Sequence, residues 1–101
     1  MKESYKAKLF VNKKPVELNP FVEEYLARIS VGTVTSLKGI DYIRNVEIHH
    51  EFDDVTVAVN GENVSLTPFP VKIIASTLCG LASALKGVDD IKSLHVTVEL
   101  K

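Results

Sequence analysis

Four stretches of the chain alternate apolar with other residues and are rich in β-branched types: Lys6 to Val11, Ile43 to Phe52, Val55 to Val59 and Ile91 to Leu100. A period of two sends successive side chains to opposite faces, so each stretch reads as a strand with one face buried. The inward sets are Tyr5, Ala7, Leu9 and Val11; Val46, Ile48, His50 and Phe52; Val55, Val57 and Val59; and Leu94, Val96, Val98 and Leu100. Between the strands the apolar spacing changes to three and four. Val22, Leu26, Ile29, Thr33 and Leu37 form one such stripe and Ile74, Leu78, Leu81 and Leu85 another, the pattern of two helices pressed against a core. Asn19-Pro20 and Thr67-Pro68 supply a side-chain cap followed by a proline whose missing N–H costs nothing in a first turn. Lys38-Gly39 and Lys86-Gly87 mark the expected helix ends. Short apolar stubs around Val16 and Val64 follow the first and third strands, the latter across Asn60-Gly61, a pair suited to a tight turn.

The pattern is written twice. Residues 7–51 align with residues 55–99 without a gap at a constant offset of 48, and 14 of 45 pairs are identical, where chance would give about two or three. Asn12/Asn60, Pro20/Pro68, Phe21/Phe69 and Gly32/Gly80 are among them, as is the shared Leu-Lys-Gly at 37–39 and 85–87. Neither half has enough core to stand alone, so the 101 residues are expected to form a single domain of two similar halves.

The element order βαββαβ is similar to that of ferredoxin-like sandwiches. That resemblance implies an α+β fold with a four-stranded antiparallel sheet in the order 4-1-3-2, both helices on one face and the first and third strands paired at the centre. In that arrangement Leu9 and Val57 are core neighbours. The hairpin stubs have no place in the minimal fold and are expected to add strands or to cover a sheet end.

Composition narrows the function by exclusion. A net charge of −1, with 25% charged residues, offers no broad attraction to nucleic acid or to anionic lipid. The lone Cys79 rules out a disulfide-stapled module, and no stretch is long and apolar enough to span a bilayer. A cytoplasmic location is expected.

The outward positions carry the candidate chemistry. Lys8 and Phe10 on the first strand, His49 on the second, Thr56 and Ala58 on the third and His95 on the fourth make up the candidate interface or ligand face. Its centre is the least charged part, with Phe10 and Ala58 there and Lys6, Glu47, Glu51 and Glu99 around them, as in many protein interfaces. In the 4-1-3-2 order His49 and His95 sit on opposite edges, roughly 14 Å apart, too far for one metal ion. Glu47, His49 and Glu51 line one strand and are left as donors for a site shared between subunits. His50 and Cys79 read as structural, since a mid-helix thiol has neither a helix N-terminus nor a basic neighbour in view. Gly32 and Gly80, mid-helix, are expected where the two helices cross or where a second protomer's helix packs. One exposed aromatic is fewer than an RNA-reading sheet of this kind uses.

The expectation is therefore a small non-enzymatic module that forms a homo-oligomer, a dimer in the first instance, or binds a partner, with no cofactor, resident metal or nucleic acid. The alternative is a sensor of a small molecule.

Overall fold

The computed structural model describes residues 5–38, 42–51, 54–66, 68–85 and 90–100. In chain order the elements are β1 (Tyr5–Val11), β2 (Lys14–Val16), α1 (Pro20–Lys38), β3 (Asn45–Glu51), β4 (Asp54–Val59), β5 (Glu62–Val64), α2 (Pro68–Ser83) and β6 (Ser93–Leu100). The fold is α+β. All six strands join one antiparallel sheet in the order β2-β1-β6-β3-β4-β5.

The sheet therefore has six strands where four were expected, and the order 4-1-3-2 does not occur. Strands β1 and β4 do not pair, and Leu9 and Val57 face different neighbours, because β6 and β3 lie between them. The cause is the pair of hairpin stubs. Each is a strand of three residues folded back by a tight turn, with Leu9 opposite Val16 and Val57 opposite Val64. A strand has two edges. With β2 on one edge of β1 and β5 on one edge of β4, neither strand has room for two further partners, so the last strand of each half moves to the middle.

Positions 48 apart occupy matching places in this sheet. Ile48 lies opposite Val96, and the β1–β6 register reappears as the β4–β3 register under that offset. The turns obey it too. Asn60, with φ of 52°, accepts the N–H groups of Arg44 and Asn45 on its side-chain oxygen and donates to the carbonyl of Tyr42. Asn12, also at 52°, accepts from Lys92 and Ser93 and donates to the carbonyl of Asp90. Each hairpin thus clamps the chain leading into the other half's last strand.

The inward faces form the core. Val46, Ile48, Val57, Val96 and Val98 are almost wholly buried under Leu26 and Ile74 of the helices, and each such side chain contributes about 1.5–3 kcal/mol relative to exposure. Phe52 lies outside the described residues, as do Gly39, Thr67, Lys86 and Gly87 and the side chain of Leu37. Asn19 caps α1 as expected, its Oδ1 accepting the N–H of Val22 at 2.8 Å. The buried line of α1 runs through Leu26, Ala27, Ser30 and Val34, while Ile29 and Thr33 are only half-buried. Glu23 explains the rotation. Its carboxylate accepts the Ala7 N–H at 3.0 Å, on the length of β1 that the short β2 leaves uncovered, and this turns the 23-26-27-30-34 line toward the sheet.

Helix α2 ends at Ser83, earlier than expected, and the N–H groups of Ala84 and Leu85 return to the carbonyls of Leu81 and Ala82 in a tighter turn. Gly32 and Gly80 are exposed, and a Cβ at either would meet nothing within 4 Å. The expected helix crossing at these glycines is therefore absent. The molecule is a two-layer slab, 36 × 32 × 18 Å, with helices on one face and the other face of the sheet open.

Candidate functional site

The open face is built from the residues that alternate with the core. Two rows cross its centre. One runs Pro15, Phe10, His95, His49, Thr56 from β2 to β4, and the next runs Lys8, Thr97, Glu47, Ala58, Asn63 from β1 to β5. All six candidate residues, Lys8, Phe10, His49, Thr56, Ala58 and His95, lie on these rows.

The expected separation of His49 and His95 is overturned. They are cross-strand partners on the two central strands, with ring centroids 3.8 Å apart and planes within 19°. The ladder brings them this close. Leu100 N–H donates to the Arg44 carbonyl at 2.8 Å, and hydrogen-bonded pairs alternate along an antiparallel ladder, so 49 and 95 form a non-hydrogen-bonded pair, the kind whose side chains approach most closely. Phe10 stacks on the other side of His95, at 5.6 Å between centroids and 27° between planes. The result is a three-ring run, Phe10-His95-His49.

His95 is the electrostatic centre of the run. Burial, and then the neighbouring His49, hold its pKa below the ordinary histidine value, while Glu47 opposes them by favouring the cation. Its Nε2 is shielded from water and has no hydrogen-bond partner among the described residues, an arrangement that costs about 1–3 kcal/mol when nothing offsets it. These causes together favour the neutral form of the His95 ring. Glu47 completes a cluster. The ligand atoms of Glu47, His49 and His95 all lie within 4.8 Å of one another.

Beside the rings the face opens into a concavity of about 360 Å³, lined by Phe10, Lys13, His49, Glu51, Ser93 and His95 among others. The flanks of the open face differ in sign. Lys6 and Lys8 stand on β1, whereas Glu47, Glu51 and Asp54 stand on β3 and β4.

Cys79 and His50 meet on the opposite, helix-covered side. Cys79 Sγ lies 3.4 Å from His50 Nδ1, so the thiol has the basic neighbour that the position along the helix did not reveal. Burial nonetheless pushes its pKa up, which keeps it a neutral thiol instead of a nucleophilic thiolate. Sequence periodicity could not find this pair, because it depends on which turn of α2 passes over the end of β3. No helix among the described residues is long and apolar enough to cross a membrane. Comparison with protein-family models, with curated proteins and with solved structures finds no match to this chain.

Proposed function

We propose that this chain is a non-enzymatic binding module that pairs with a second copy of itself through the open sheet face. One observation carries the reading: both helices lie on one side of a six-stranded sheet, and the bare side has an aromatic row at its centre in which Phe10 and His95 are half-buried. Extents of 36 × 32 Å give that side room for the about 800 Å² per partner that a stable dimer buries. Charge supports the same pairing. A twofold axis parallel to the central strands would keep the two ring rows at one level and bring Lys8 of one copy onto the row of the other that holds Glu47.

Phe10→Asp tests the reading. Sedimentation velocity should show a wild-type dimer and a variant dimer weakened about 30-fold or more, the loss of a central aromatic anchor worth about 2 kcal/mol. Circular dichroism should show the variant folded. A wild type that stays monomeric at its highest soluble concentration rejects the proposal, and an unaffected variant dimer moves the interface off this face.

A second reading, a small-molecule sensor, is favoured by the concavity beside Phe10 and His49. Thermal stabilisation by one member of a metabolite panel, lost in Phe10→Asp, would distinguish it. The offset of 48 that relates both the sequence halves and the strand registers supports an origin by internal duplication.

A further inference from the structure

We propose that Glu47, His49 and His95 form a binding site for one divalent transition-metal ion per chain, with Zn2+ as the reference ion. The inference goes beyond self-association and does not depend on it. Its first support is geometric. Two imidazoles and a carboxylate from adjacent central strands already have their ligand atoms within 4.8 Å of one another, while bonds of about 2.0–2.2 Å to a shared ion place neighbouring donors roughly 3.3 Å apart. Side-chain rotations close that gap. The backbone need not move, because β3 and β6 are fixed by pairing on both sides.

The second support is the state of His95. Its Nε2 is out of water and unpaired among the described residues, although a buried ring nitrogen ordinarily finds a partner. An ion at that nitrogen would use donor capacity that no protein group uses. His95 is packed between Phe10 and His49, and because a ring nitrogen ligates in the plane of its ring, His49 is the ring that turns out of the stack to share an ion.

The donor set decides the class of ion. Two neutral nitrogens and one carboxylate oxygen suit Zn2+, Co2+, Ni2+ or Cu2+, whereas Mg2+ and Ca2+ ask for oxygen donors throughout. Three protein ligands on an open face leave coordination positions pointing outward, available to water or to a donor from another molecule.

The test is titration of the metal-stripped full chain with Zn2+ by calorimetry and with Co2+ by visible absorption. Expected are one equivalent per chain and a Co2+ spectrum with nitrogen ligation. His49→Ala and His95→Ala should each weaken binding by more than the roughly 10–100-fold that loss of a merely orienting group costs, and Glu47→Gln should weaken it less. His50→Ala is the control. His50 projects to the opposite face, toward Cys79, so its loss should leave the affinity unchanged. All three ligand positions are on the open face, and circular dichroism should show the variants folded. Absence of stoichiometric binding at micromolar Zn2+ would overturn the site, as would binding that survives the double variant His49→Ala/His95→Ala or that is lost in His50→Ala. Sedimentation of the same samples with and without chelator separates the two proposals, since a dimer that persists without metal binding leaves self-association standing.

Discussion

The two central rows of the open face stand on equivalent frames and carry different chemistry. Under the offset of 48, Phe10 corresponds to Ala58, His95 to Glu47, His49 to Thr97 and Thr56 to Lys8. One row holds three stacked rings, and the other holds a lysine, a threonine, a glutamate and an alanine. Beneath them the inward pairs stay apolar in both halves, Leu9 with Val57, Val46 with Leu94 and Ile48 with Val96. The difference lies in what constrains each side. Core positions must fill a fixed volume in either half, while positions on the open face are free of that requirement and can specialise. The chemistry of this molecule therefore sits where its two halves differ.

The heaviest blow to the shared frame falls at its centre. Ile48→Ala leaves a void where β3 meets β6, and a loss of about 2–5 kcal/mol is expected in denaturant unfolding. Both rows should fail together, with no separate transition for either half.

The asparagine clamps come next. Asn12→Gly and Asn60→Gly keep the left-handed backbone but remove three hydrogen bonds each, and each should cost about 1–3 kcal/mol. Similar losses at the two sites would support matching roles; a loss at only one would break the equivalence.

Cys79 gives a smaller, pH-dependent effect on the helix side. Because its pKa is raised in the folded chain, the unfolded chain gives up the thiol proton first as pH rises through the ordinary value near 9.0. That contribution to stability is complete below this range and is lost above it. Unfolding followed from pH 7 to pH 10 should show a shallower alkaline decline in Cys79→Ala than in the wild type.

The smallest expected effect compares the two turns. Lys13 has φ of 69° where its counterpart Gly61 has 85°, and a non-glycine residue is strained there. Lys13→Gly should raise stability by about 1 kcal/mol, measured by the midpoint of thermal unfolding.

Much of this was legible in the sequence. The strands, the helices, the Asn19 cap and the Asn60-Gly61 turn are local, and local chemistry dictates them. Strand order is not local. It turned on whether the three-residue stubs at Lys14–Val16 and Glu62–Val64 pair with β1 and β4, and the apolar pattern of so short a segment does not say whether it takes up an edge. That single choice moved His49 and His95 from opposite edges to adjacent strands and reversed the geometric argument against a joint metal site. The rotation of α1 followed from Glu23 reaching Ala7, a long-range bond that helical periodicity does not contain.

Everything on the open face depends on β3 and β6 being central partners. Nuclear Overhauser contacts between α-protons across that ladder measure this directly, because non-hydrogen-bonded antiparallel pairs bring those protons closest. Strong cross-peaks are expected for His49 with His95, Glu47 with Thr97 and Asn45 with Glu99. Their absence, with cross-peaks between β1 and β4 in their place, would contradict the strand order and with it the juxtaposition of the two histidines.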